Sequence, residues 1–96
     1  MESLHTPETD RLFRALLGLN TLEECYALFE DLCTIRELRD LTQRFEVAEM
    51  LAAGRSYQEI SQTTGASTAT ICRVNKCLLY GTGGYRRAVS GGEEKK

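Results

Sequence analysis

The chain has 96 residues, 42% hydrophobic and 27% charged, with four cysteines and a formal net charge of −2. This length and composition suit one globular domain or two short ones, and they exclude wholesale disorder, collagen and a disulfide-stapled miniprotein. The charge is unevenly divided: residues 1–50 carry eleven acids and five bases, residues 51–96 three acids and seven bases, the pattern either of an acidic body with a basic working surface or of chance clustering.

In chain order, residues 1–9 are expected to be a flexible N-terminus. From Asp10 to Leu19 a helical stripe of Leu12, Phe13, Leu16 and Leu17 lies opposite Arg11 and Arg14, and Gly18 and Asn20 stop it. Thr21 and Glu24 form a capping box opening a second helix, with Leu22, Cys25, Tyr26, Phe29 and Leu32 inward. Thr34 and Glu37 form another, opening a long helix with Leu38, Leu41, Phe45, Ala48 and Leu51 on one face. Gly54 ends it as a left-handed residue. Ser56 and Glu59 box a short helix around Ile60 that ends at Gly65. Ser67 caps a final helix running through Ile71, Val74 and Leu78 to Gly81. No segment alternates as a strand does, so the expected fold class is all-α, with five helices in one domain over residues 10–89. Residues 90–96 are expected to be a disordered tail. Tyr85-Arg86-Arg87 either tracks a phosphate or folds back on the body.

The informative stretch is Ser56 to Leu79. A tight turn at Gly65 needs a residue at positive φ, which glycine supplies without steric penalty. Ile60 precedes that glycine by five residues and Ile71 follows it by six. The spacing lets both isoleucines pack in the angle between steeply crossed helices, a helix-turn-helix over about residues 56–80. Away from Ile71 the second helix presents Thr68, Ala69, Thr70 and Arg73. Its first turn is small, hydroxylated and free of acid. Such a surface can approach the floor of a major groove, where methyls meet thymine methyls and hydroxyls bond phosphates or base edges. The N–H groups at the helix start favour phosphate as well. The plain alternative is a helical hairpin that binds nothing, its Ser/Thr run only a cap. The turn glycine, the isoleucines, the acid-poor second helix and the basic residues downstream agree with one another, and double-stranded DNA is the expected partner.

Gly65-Ala66 followed by Ala69-Thr70-Ile71-x-Arg73 resembles the reading head of the Trp repressor. Upstream, Leu32-x-Thr34, Leu41, Arg44, Val47, Leu51, Gly54 and Glu59-Ile60 follow that superfamily's order, with one residue missing between Gly54 and Glu59. The run GASTATICRVNKCLLYG with the later Gly-Gly-Tyr is similar to the YerC/YecD-type Trp-repressor-like proteins. The resemblance covers Leu32 to Tyr85 and, more loosely, the two N-terminal helices. It implies a Trp-repressor-like helical domain in an intertwined homodimer, two reading heads on successive major grooves, and a sequence-specific transcriptional regulator of the repressor kind. The bland alternative for Leu12, Leu16, Leu17, Tyr26 and Phe29 is that they cover their own protomer.

Carried over residue by residue, the resemblance implies that Tyr57, Gln58 and Ser61 touch the DNA backbone or groove edge, and that Ser67, Thr68, Ala69 and Thr70 approach bases. Arg73 and Lys76, with Arg86 and Arg87, neutralise phosphates if they share a face. Cys72 stands where the Trp repressor has a hydroxyl residue. Thr34, Arg44 and Arg73 fall where that repressor holds tryptophan, so an effector pocket of Thr34, Arg44, Arg73, Val74 and Cys77 is implied. Val74 replaces a glycine there and Cys77 a serine, which speaks against L-tryptophan as corepressor, and no cofactor is expected. The simpler reading makes Thr34 an N-cap, pairs Arg44 with Asp40 and sets Arg73 on a phosphate.

Zinc-ligand spacings are absent, and His5 is the single histidine. The cysteines read as reduced thiols packed as small hydrophobes, with Cys72 beside Arg73 as a redox sensor in the sharper version. Neither a nucleophile with an obvious base nor a phosphate loop is present, so no enzyme is expected. The N-terminus is polar and acidic, unlike a signal peptide, and no stretch nears the roughly 18 apolar residues of a membrane span. A cytoplasmic location is expected. The rival class is a helical protein-interaction module, or a polymerase-associated adaptor, whose helix-turn-helix does not read DNA.

Overall fold

A computed structural model describes residues 3–94. Six helices occur in order: α1 (Pro7–Leu17), α2 (Leu22–Leu32), α3 (Ile35–Ala52), α4 (Tyr57–Thr64), α5 (Thr68–Tyr80) and α6 (Gly84–Glu94). Among the described residues there is no strand, and no helix is long and apolar enough to cross a membrane. The chain forms two compact units, one up to Leu38 and one from Arg39 onward, with the boundary inside α3.

The N-terminal unit is built by local chemistry. The Thr6 hydroxyl accepts from the Thr9 N–H at 3.1 Å, and Pro7 sits at the first helical position, where its missing N–H costs nothing. Glu8 and Asp10 in the first turn and Arg14 in the last suit the helix dipole. The helix therefore begins inside the expected flexible stretch 1–9, because the Thr-Pro pair is already an N-terminus signal. At α2 the Thr21 hydroxyl accepts from the Glu24 N–H, while Glu24 reaches past Thr21 to the Asn20 N–H at 2.7 Å. At α3 the box is reciprocal: Thr34 and Glu37 exchange hydrogen bonds of 2.8 and 3.0 Å. Neither α1 nor α2 contains a buried residue. Of the stripes expected to face inward, Leu17 is 83% exposed and Tyr26 62%, while Leu16 and Phe29 are half-buried.

The C-terminal unit has a small, dry core. Val47, Ala48, Ile60, Ala66, Ile71 and Val74 are each at most 2% exposed, with Met50, Leu51, Tyr85 and Val89 half-buried against them. Full burial of an isoleucine or valine stabilises by about 1.5–3 kcal/mol. The expected buried face of α3 is met at Ala48, with Leu38 and Leu51 half-buried, but it needs correcting elsewhere: Leu41 and Phe45 stay 41% and 37% exposed, and Val47 is buried instead. The core is made by the end of α3, where α4, the turn and α5 close on it, and the earlier turns extend beyond that cover. At its end α3 forms paired reverse bonds, Arg55 N–H to Met50 O and Gly54 N–H to Leu51 O, both 3.0 Å, the Schellman pattern closed by left-handed Gly54.

The sixth helix was not expected. Residues 90–94, placed in a disordered tail by composition, continue α6, while Lys95 and Lys96 lie outside the described residues. Packing overrides the poor helix propensity of its glycines: Tyr85 and Val89, four apart on one face, rest on the core.

Candidate nucleic-acid interface

The helix-turn-helix is assembled from hydrogen bonds between near neighbours. Ser56 and Glu59 form the full capping box of α4. Gly65 then takes φ +76°, and its N–H bonds the Ser61 carbonyl at 2.9 Å. The Thr64 hydroxyl donates to the Ile60 carbonyl at 2.7 Å and accepts from the Ala66 N–H at 3.1 Å. The Ser61 hydroxyl donates to the Ala66 carbonyl at 3.0 Å. Gln43 of α3 donates its amide to the Thr64 carbonyl at 3.1 Å, so the turn is also held from the side. Ser67 caps α5 by accepting from the Thr70 N–H, and its own hydroxyl donates to the Thr70 hydroxyl at 3.1 Å.

Each candidate contact can now be placed. Thr68, Ala69, Arg73 and Lys76 are exposed on α5, whose first turn contains no acid. Ala69, Arg73 and Lys76, spaced i, i+4 and i+7, share the face opposite buried Ile71 and Val74. Ser67 is exposed, and Thr70 is half-buried at their flank. Gln58 is exposed at the start of α4. Tyr57 is 37% exposed, but its hydroxyl accepts from the Asn75 side-chain amide at 3.1 Å, tying α4 to α5. Ser61 is half-buried with its hydroxyl engaged in the turn, so its evident work is to close the helix-turn-helix.

Electrostatics favour an anion on this face. Between residues 51 and 92 the single acid is Glu59. It pairs with Arg55 at 3.1 Å, the one ion pair among the described residues. The Glu59 side chain is about half exposed, and its carboxyl pKa lies below the ordinary value of 4.5. The largest cause is the hydrogen bond from the Ser56 backbone N–H, followed by those from Arg55 and the Ser56 hydroxyl.

The residues of the implied effector pocket are dispersed in role. Thr34 belongs to the N-terminal unit and caps α3. Arg44 is half-buried and makes no ion pair with Asp40. Arg73 is exposed, whereas Val74 is 1% exposed within the core. Cys77 borders a cavity of about 470 Å³ together with Phe45, Gly81, Thr82, Gly84, Tyr85 and Ala88, a set without Arg44, Arg73 or Val74. All four cysteines are free, and Cys72 and Cys77 are exposed, so neither packs in the core as a small hydrophobe.

Two supporting residues were missed by sequence reasoning, and a third, Arg86, expected either to track a phosphate or to fold back on the body, folds back onto the end of α5. Asn75 and Gln43 act across 18 and 21 residues, and nothing local marks them. Arg86 had a weak signal. The last turn of α5 contains no base, and the next base in the chain could reach back to supply one.

Comparison with known proteins gives a consistent result. Residues 7–92 match the model of the Trp repressor protein family. The chain is 52% identical over 89 residues to the uncharacterized protein YerC of Bacillus subtilis (strain 168), covering 93% of this chain and 86% of that protein. It superposes on the crystal structure of a TrpR like protein from Eubacterium eligens ATCC 27750 with a TM-score of 0.90 at 51% identity, over 94% of this chain and 93% of the other. A solved Staphylococcus aureus structure also matches at a TM-score of 0.90, with 43% identity, over 94% and 90% of the two chains.

Proposed function

This chain belongs to the Trp repressor protein family, and on that premise we propose that it is a sequence-specific DNA-binding transcriptional regulator, a repressor that docks α5 in the major groove as a homodimer. The observation that carries the reading is the first turn of α5: small, exposed, free of acid, and aimed by a turn whose polar groups are bonded to one another. A surface so lined admits the groove floor, and the N-terminal N–H groups of α5 favour phosphate. In this reading Thr68, Ala69 and Thr70 meet base edges, Ser67 and Gln58 lie at the groove edge, and Arg73 and Lys76 take phosphates. Tyr57 and Ser61 contribute through the shape of the motif.

The homodimer part of the proposal rests on Leu17, Leu22, Tyr26, Leu32 and Ile35, each at least half exposed in one protomer. A two-fold pair would cover such a face and set half-sites about one helical turn apart. No cofactor enters this reading, and L-tryptophan is not assigned as corepressor: Val74 fills core space and Cys77 offers a weaker partner than a hydroxyl. The expected place of action is the cytoplasm.

Selection of genomic DNA fragments by the purified protein, beside Arg73→Ala and Thr70→Ala, tests the proposal. The expected result is a roughly two-fold-symmetric site recovered by wild type and lost by both variants. Binding should weaken with salt by a log–log slope of about 0.9 per phosphate contacted. No enrichment at low salt would overturn the reading and favour a protein-interaction module.

A further inference from the structure

We infer that Arg86 is a positioning residue for the reading head, a clasp from α6 onto the last turn of α5, and not a phosphate contact. The inference rests on the DNA-reading role proposed above, and it concerns what holds the reading helix at its far end. The last carbonyls of a helix have no partner within it. In α5 the Cys77 carbonyl is bonded by the Gly81 N–H at 2.8 Å. The next two are taken by one guanidinium nitrogen, as Arg86 Nη2 donates to the Leu78 carbonyl at 2.9 Å and the Leu79 carbonyl at 3.1 Å.

The geometry is specific to this junction. A Cβ at Gly81 would collide with the Cys77 carbonyl, so only glycine lets the chain leave α5 this tightly. Tyr85 and Val89, on either side of Arg86, pack on the core and hold α6 in place. The Ser90 hydroxyl donates to the Arg86 carbonyl at 2.8 Å, fixing the backbone that carries the clasp. A cation at this end also suits the helix dipole, and α5 has no base of its own in its last turn. With Ser67 at the start, Asn75 on Tyr57 in the middle and Arg86 at the end, α5 is held at three points along its length. The two carbonyl bonds use both hydrogens of Nη2 and so commit the guanidinium to the end of α5.

The test uses the full chain as wild type, Arg86→Ala, Arg86→Gln and, as comparator, Arg73→Ala. Amide hydrogen exchange is read without DNA, and affinity for the selected fragment is read against salt. In Arg86→Ala, exchange at Tyr80 and Gly81 should rise about tenfold, and affinity should fall about fivefold to tenfold, as expected for losing an exposed hydrogen bond of ordinary strength. Its salt slope should match wild type, while Arg73→Ala loses about 0.9 from the slope for each phosphate contact removed. Arg86→Gln, neutral but still able to donate to one carbonyl, should fall between wild type and alanine. A slope loss of about 0.9 in both Arg86 variants would make Arg86 a phosphate contact and overturn the inference. Unchanged exchange, or raised exchange with unchanged affinity, would overturn it too. If wild type captures no fragment, the DNA reading itself fails, and the exchange data still decide whether the clasp exists.

Discussion

Helices α2 and α5 are near-equals as sequence. They have 11 and 13 residues, each is capped by a hydroxyl side chain, and each carries an apolar stripe. Yet α2 buries no residue, whereas α5 buries Ile71 and Val74 almost completely. An apolar stripe states that a face must be covered but says nothing of where the cover comes from. For α5 it comes from within the protomer, from α4, the turn and the ends of α3 and α6. For α2 it comes, in the proposed homodimer, from a second copy.

The largest effect that could break this contrast lies in the core. Ile71→Ala should lower stability by about 2–5 kcal/mol in denaturant melts, since a fully buried side chain leaves a cavity. Leu17→Ala, at 83% exposure, should cost less than about 0.5 kcal/mol in protein dilute enough to be monomeric. Equal losses at both sites would erase the distinction between the two regions.

Oligomeric state sharpens the same comparison. Phe13→Asp with Tyr26→Asp should weaken self-association at least about a hundredfold in sedimentation equilibrium, because charges would replace aromatic contacts at an apolar interface. Helical content of the C-terminal unit should be retained, since its core uses neither residue. An unchanged molecular mass would remove the proposed second copy as the cover.

A smaller loss is expected at the turn. Gly65→Ala meets no atom within 4 Å, so its cost is purely that of placing a side-chain-bearing residue at φ +76°. That is about 1–2 kcal/mol by thermal or denaturant melting. A neutral outcome would mean that the turn relaxes to another backbone conformation.

The smallest effect is a pH dependence. Because the folded-state pKa of Glu59 is lowered, its stabilisation is fully present above about pH 4.5 and is lost as pH falls through the lower folded value. Acid should therefore loosen the start of α4, read as faster amide exchange there, and Glu59→Gln should flatten the response across that window. A Glu59→Gln profile identical to wild type would show that other carboxylates govern the acid limb.

Helix starts were legible because caps are local. Thr21, Thr34, Ser56 and Ser67 each satisfy an N–H three residues on, within a span that sequence alone displays. The turn at Gly65 was legible for the same reason. The apolar pairing of Ile60 with Ile71 also followed from spacing across one short turn. Ser61 shows the limit: a hydroxyl expected at the DNA edge is engaged by the Ala66 carbonyl, a partner that comes within reach only once the turn has closed.

The sequence by itself determined the helices up to Tyr80, their caps, the helix-turn-helix and the acid-free first turn of α5, because each depends on residues near one another in the chain. Tertiary structure decided the rest. It buried Val47 beside the expected Ala48 and left Leu41 and Phe45 partly exposed, joined Asn75 to Tyr57, and turned a glycine-rich segment into α6. It also brought Arg86 to the end of α5. Those outcomes depend on which groups meet after the chain has folded, and a local pattern holds no information about partners that lie beyond its reach.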